Sequence, residues 1–475
     1  RHRLGRGGAR AACSGRHPGR LVVRAAGRQR GDRRRNVVSR ILVLAVLLSG
    51  AAVAQPQPLT LDAAVNLALQ RNSDLQRQIL LSLSAEQDRV IARSAVLPQL
   101  TFNASAAEQR TNGLQVVQGV LVPGTFQTER HTTYEPLYSS RLQLSQLVFD
   151  GGKWWNNLAA ADLGEQASRE QVDEQRLQIT YLVEQRFYEL VRAQRQLAVL
   201  AEAATRSRDQ ANYTQRLFEG GRATQADVYA ARANRDNDEV QRLGQERVVE
   251  LARSDLSTAI GLDPGSPLTV AEPQNMMSTP AQPPPVPDAI SRALDNRPSL
   301  KAFASTAEQN RKLASASKGD YWPTVSLVGQ WTRSTTETKP FFEAPGRNSL
   351  ASAGVSLSWN LFNGLSTTAN VRKAEIQVAL AENDLVNGRR SVASDVEKAI
   401  AQLSTARAQA RVAQEAEQTA KEGLRLARTR QQVGVGTQLE VRDAELKLTQ
   451  AQLSVVGSLV DGREAESALR RAQGG

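Results

Sequence analysis

Past residue 58 the hydrophobic rhythm of the chain changes in a fixed order. Apolar positions first recur at three- and four-residue spacing, beginning with Leu61, Ala64, Val65, Ala68 and Leu69. This predicts a helical stretch of some 35 residues that stops at Pro98. The period then drops to two: Leu100, Phe102, Ala104 and Ala106 alternate with Thr101, Asn103 and Ser105. Later, Val355, Leu357, Trp359 and Leu361 alternate with Ser356, Ser358 and Asn360. Strands with one apolar and one polar face are expected at about 98–111, 139–149, 323–333 and 351–361. Polar loops containing Gly and Pro are expected between them, around Gly113 to Tyr138 and Ser334 to Leu350.

Asp150-Gly151-Gly152 and Asn363-Gly364 then mark sharp turns into two long helical runs, roughly Lys153 to Phe218 and Leu365 to Val433. In the first, Val183, Phe187, Leu190, Gln194, Leu197, Ala201 and Ala204 keep the four-three spacing of a coiled-coil seam. Each run turns at glycines, Gly220 and Gly221 or Gly434 and Gly436, and returns as a shorter helix. Two shorter helices sum to about the length of one long one, so they can lie end to end beside it in a bundle about 100 Å long.

The whole order occurs twice. Residues Ala64 to Leu75 match Ala289 to Leu300, and Pro98 matches Pro323, at an offset of 225; Leu147 to Gly151 match Asn360 to Gly364, and Gly221 to Val228 match Gly434 to Val441, at an offset of 213. Four matches in one order indicate a duplication. The expected organisation is a basic segment plus signal peptide over 1–54, a first repeat over 55–261, a Pro-rich linker over 262–287 and a second repeat over 288–475.

Charge and composition narrow the function. Of the 60 Lys and Arg and the 48 Asp and Glu, 13 Arg and one Asp fall in residues 1–54, leaving 47 of each sign beyond them. The net charge of +12 is therefore a property of the leader, and nucleic acid is not an expected partner. Arg40, the apolar run Ile41 to Leu48 and the small residues ending in Ala52-Val53-Ala54 read as a secretory signal cleaved before Gln55. The only cysteine, Cys13, and two of the three histidines, His2 and His17, lie in that leader. The remaining His131 falls in a polar segment, Thr128 to Tyr134. No nucleophile, acid–base constellation, metal-ligand set or phosphate loop is recognisable, so no enzymatic activity, cofactor or metal is expected.

All five tryptophans, Trp154, Trp155, Trp322, Trp331 and Trp359, lie in or beside the strand pairs, as aromatic girdles at membrane interfaces would require. Strands of about ten residues suit a tilted membrane-spanning barrel, but four are too few to close one, so either several chains contribute or the hairpins pack elsewhere. The duplicated order, with Leu61-Asp62-Ala63-Ala64, Asn72 to Leu75, Leu97-Pro98, Phe149 to Gly152, Gly221 to Val228 and Gly434 to Asp443, resembles TolC-like outer-membrane efflux proteins over essentially all of residues 58 to 470.

The resemblance implies an α+β membrane protein: a homotrimer in which each chain gives four strands to one twelve-stranded β-barrel, continued by a long periplasmic α-helical barrel. It implies an exit duct in the outer membrane of a Gram-negative bacterium, in contact with outer-membrane lipid and working with a periplasmic adaptor and an inner-membrane transporter in tripartite efflux or type I secretion. Glu440 and Asp443, at spacing i, i+3 on one helix face, match the family's paired acidic residues at the periplasmic constriction, with Asp227 as the first-repeat counterpart. The tip turns at Gly220, Gly221, Gly434 and Gly436 are the expected adaptor contacts, and Gly151, Gly152 and Gly364 the strand-to-helix turns. Arg430 and Arg442 are candidate partners for the acidic pair. The competing reading, a periplasmic coiled-coil structural or adaptor protein, explains the helices but not the alternating strands with their tryptophans.

Overall fold

The computed structural model describes residues 58–118, 126–337 and 348–475, and the expected leader and signal peptide lie outside them. The element order is α1 (Leu61–Arg71), α2 (Ser73–Ser94), β1 (Gln99–Gln118), β2 (Phe126–Phe149), α3 (Lys153–Glu219), α4 (Gln225–Ala259), α5 (Val286–Asn296), α6 (Pro298–Lys318), β3 (Thr324–Thr335), β4 (Ser349–Ser358), α7 (Ser366–Gln432) and α8 (Gln438–Gln473). A single 3₁₀ turn, Gly319–Tyr321, precedes β3.

The two long helices, α3 and α7, have 67 residues each. At 1.5 Å per residue each is about 100 Å long. In the half nearer the strands, α2, α3, α6 and α7 pack side by side in that order; in the other half the order is α4, α3, α8, α7. The helices thus form a slab four columns wide, with α2 and α4 sharing one outer column and α7 forming the other. Val183, Phe187 and Leu190 of the α3 seam are fully buried in the largest core cluster, with Leu256, Ile260 and Met276.

The opening stretch of each repeat is broken, where an unbroken helix is expected from the sequence. In the first repeat Asn72 leaves the helical region with ψ 126°, and its Oδ1 accepts the backbone N–H groups of Asp74 and Leu75 to start α2. Its Nδ2 donates to the carbonyl of Ala259 at the end of α4. In the second repeat the break is at Arg297, and Pro298 opens α6 in the first-turn position that a proline tolerates. The breaks are where short helices meet. Gly261, at φ +75°, is so close to Arg71 that a Cβ would stand 3.0 Å from its carbonyl oxygen, and Gly474, at φ +89°, makes the same approach to Asn296. Only glycine reaches this conformation without strain while admitting a backbone so near.

Residues 262–285, most of the expected Pro-rich linker, pack against the helices as a strap. Val270 pairs with Leu59, Met276 is buried, Glu272 bridges to Arg195 of α3, and Arg463 of α8 donates to Ser278. Arg407 of α7 donates to the carbonyl of Pro280 at 3.0 Å.

The strands make one antiparallel sheet in the order β1-β2-β3-β4. The first hairpin is longer than its sequence pattern suggests: β1 and β2 stay paired from Gln99 opposite Ser145 to Gln118 opposite Phe126. Most of the segment expected as a loop, including the backbone of His131 opposite Gly113, is therefore strand. Alternation fails there because the hairpin runs past Tyr138, where pairing with β3 begins, so neither face has a fixed apolar neighbour. In the second hairpin, residues 338–347 lie outside the described residues.

Candidate functional site

Two regions carry the chemistry: the helix tips and the faces of the sheet. At the first tip, Gly221 takes φ +70° and Arg222 N–H bonds the Leu217 carbonyl; at the second, Gly434 takes φ +83° and Val435 N–H bonds the Arg430 carbonyl. Both are left-handed glycine caps that close a long helix before the chain returns. Thr224 and Thr437 cap the returning helices, their hydroxyls accepting the N–H groups of Asp227 and Glu440 at 3.2 Å.

The equivalence ends at the carboxylates. Asp227 turns back to accept the Thr224 N–H at 2.9 Å and its hydroxyl at 2.7 Å, completing a capping box. These hydrogen bonds, from the hydroxyl and then the backbone, hold the Asp227 carboxyl below the usual carboxylate range. Glu440 makes no such return. Its carboxylate faces Arg430 Nε at 3.6 Å, and Asp443 faces Lys447 at 2.6 Å one turn along. Both acidic groups are about half exposed, and together they line a groove of about 650 Å³ between α7 and α8, walled by Ala416, Ala420, Gly423 and Ala427.

Arg442 does not pair with the acidic residues. It forms a bidentate bridge of 2.6 and 2.8 Å to Asp238 of α4, with both side chains largely buried. Glu445, buried in the same tip, pairs with Arg428 of α7 at 2.8 Å. The Asp238 bridge ties the first helical hairpin to the second. Nothing in sequence spacing signals it, since the partners are 204 residues apart.

At the other end, Gly151 and Gly152 (φ +69° and +81°) make the turn from β2 into α3, with Trp154 N–H bound to Asp150 Oδ2 at 2.9 Å. Gly364 makes the matching turn into α7. A Cβ at Gly151 would stand 2.7 Å from the Gly319 carbonyl, and Lys153 pairs with Asp320 at 2.6 Å, so this turn is seated against the end of α6. Trp154 and Trp155 stack at 3.8 Å beside it, and Trp359 Nε1 donates to the Tyr321 carbonyl. Trp322 is exposed at the same end, whereas Trp331 lies higher, within the ladder.

Residues directly opposite on paired strands share a face. One face carries the rows Leu100, Leu144, Gly329, Ala353 and Phe102, Leu142, Trp331, Ala351, with Leu327, Val355, Val325 and Leu357 below. The other carries Gln99, Ser145, Val328, Gly354 and Thr101, Gln143, Gln330, Ser352, followed by Asn103, Arg141, Thr332, Leu350. From Val325 to Trp331 the apolar face is about 20 Å tall. Phe102, Leu100, Val355 and Leu357 are each about two-thirds exposed, which is unfavourable in water and suited to hydrocarbon. Among the described residues no helix is long and apolar enough to cross a membrane. Among the described residues both sheet edges are unpaired: β1 on the side of α2 and α4, β4 on the side of α7.

Comparison with known proteins agrees with this geometry. A family profile described as outer membrane efflux protein matches residues 64–262 and 289–475. The outer membrane efflux protein BepC of Brucella suis is 24% identical over 438 residues, covering 91% of this chain and 90% of that protein. The alkaline protease secretion protein AprF of Pseudomonas aeruginosa is 24% identical over 413 residues, covering 85% of this chain and 82% of that protein. The crystal structure of the outer membrane protein VceC from Vibrio cholerae superposes with a TM-score of 0.71 at 18% identity, covering 87% of this chain and 96% of that one.

Proposed function

The chain belongs to the outer membrane efflux protein family, and on that premise we propose that it is a passive outer-membrane exit duct assembled from three copies, gated at its helix tips. The observation that carries this reading is the sheet: one apolar face with large side chains left exposed, one polar face and, among the described residues, two unpaired edges. Four strands cannot close a barrel, and an unpaired edge beside exposed apolar surface calls for another strand. The β4 edge of one copy is offered to the β1 edge of the next. The same operation sets α7, with Ile376, Leu380 and Val412 exposed, against α2 and α4, where Leu80, Ile91 and Val240 are exposed. Three copies give twelve strands around a water-filled lumen and twelve helical columns below it.

The helices then extend about 100 Å into the periplasm and end at the glycine tips, where a periplasmic adaptor and an inner-membrane transporter deliver cargo. BepC is named as an efflux protein and AprF as a protease secretion protein, so efflux and type I secretion are the two settings in which such a duct serves. Glu440 and Asp443 form the gate charge. Three copies of each would line the entrance and favour cations, with Arg430 and Lys447 restraining the carboxylates. An adaptor alone has no use for the apolar sheet face.

The test uses cysteines on the edge strands, Thr101→Cys on β1 and Ser352→Cys on β4, in a Cys13→Ser background free of other cysteines. A flexible bismaleimide should yield a closed three-subunit species, and a ladder stopping at two or reaching four rungs would refute the trimer. In planar bilayers the double variant Glu440→Ala, Asp443→Ala should conduct more and lose cation preference. Unchanged conductance and selectivity would remove the gate assignment while leaving the duct intact.

A further inference from the structure

We propose that Arg141 makes the barrel lumen an anion-favouring filter, opposite in sign to the acidic tip. Over the ladder from Thr324 to Thr335, the polar face of the sheet is built from Gln, Ser, Thr, Asn and Gly with a few apolar residues, and Arg141 is its one charged side chain. It stands directly between Asn103 on β1 and Thr332 on β3. Neither can neutralise it. The side chain is exposed and makes no hydrogen bond or ion pair among the described residues. The next charge on this face, Glu135, is six residues along β2, about 20 Å away. Arg333, two positions beyond Trp331, belongs to the opposite face.

This inference rests on the duct reading, which turns the polar face inward. Repeated in each copy, Arg141 becomes a ring of guanidinium groups inside a wall of low dielectric, which focuses its field across the lumen. An anionic cargo, or chloride moving with a cationic one, is the species the outer end would pass most readily.

The experiment is a reversal-potential measurement on the full chain in planar bilayers, with Glu440→Gln and Asp443→Asn present to silence the tip. A potassium chloride gradient centred near about 10 mM keeps the Debye length at about 30 Å, long enough for the ring to be felt across the lumen. The chloride-to-potassium permeability ratio should exceed one. It should fall about sevenfold in Arg141→Gln, since a potential of one kT raises the local anion concentration and lowers the local cation concentration by about 2.7-fold each, invert in Arg141→Glu, and survive in Arg141→Lys. In Arg141→Cys with Cys13→Ser, a cationic methanethiosulfonate should restore the anion preference and an anionic one reverse it. Open channels whose selectivity ignores every change at residue 141 would overturn the filter and leave the duct standing. Absence of any channel in the parent protein would bring down the duct reading and the filter with it.

Discussion

The two halves of the molecule share one plan but use equivalent positions differently, and the contrast separates folding residues from residues free to act. At the tips, Asp227 and Glu440 stand three residues after a capping threonine, yet only Asp227 closes a capping box. Its carboxylate is engaged by its own helix, so its best-supported role is structural, while the Glu440 carboxylate stays outside any such cap. At the helix junctions, Asn72 starts α2 with its own side chain. Arg297 instead reaches Glu174 of α3 with two hydrogen bonds of 2.8 and 3.0 Å and the Arg471 carbonyl at 2.7 Å. The first half closes its break within its own repeat, and the second closes its break against the long helix of the first. Duplicated segments keep backbone geometry, and side-chain roles drift within it.

The junctions offer the strongest way to break this comparison. Arg297→Ala strands the buried Glu174 carboxylate, and should destabilise the fold by about 3–5 kcal/mol in urea unfolding followed by circular dichroism in detergent. Asn72→Ala removes one cap and one long-range hydrogen bond, with an expected loss of about 1–3 kcal/mol. Equal losses would mean that the junctions are energetically alike despite their different contacts. A smaller effect, of opposite sign, is expected where the second half departs from the first: Leu365 occupies the position of Gly152, at φ +68°. Leu365→Gly should relieve about 1 kcal/mol of left-handed strain, offset in part by glycine's greater unfolded freedom. The smallest effect concerns Asp227. Its lowered pKa means that its stabilisation is full above the ordinary carboxylate range and is lost as pH falls through the lowered value. Asp227→Asn should flatten that limb of the stability-against-pH curve and leave conductance near neutral pH unchanged.

Much of this architecture was legible because it is written in local signals. Glycines end the long helices, prolines precede the strands, and alternation marks the portion of each strand that has a face to cover. Where the first hairpin outruns the sheet, the pattern disappears with its cause, and residues 113–118 and 126–138 read as loop. Neither break is expected from the sequence: Pro298 is tolerated in the first turn of a helix, and Asn72 looks like one more polar residue in a helical period. The capping box at Thr224 and Asp227 is legible as a threonine followed three residues later by an acid, although Thr437 and Glu440 show the same spacing without closing a box. Arg442, expected as a partner of the acidic pair, bridges Asp238 instead, and that pairing leaves no mark in either local sequence. The strap over residues 262–285 read as linker because its prolines resemble a spacer, although Pro280 is seated on Gly462 so closely that a Cβ there would overlap the ring.

The placement of the two open edges has a genetic consequence. The β1 edge leaves the ribosome well before the β4 edge, and in the proposed trimer each seam of the ring would join the early edge of one chain to the late edge of another. No chain repairs its own fault, because a damaged edge is exposed to an intact neighbour. A cell making equal amounts of normal and β4-defective subunits would assemble wholly normal trimers only about one time in eight, if subunits mix at random. Lesions in β4 should therefore behave as dominant alleles, whereas lesions that prevent the chain from folding at all should be recessive.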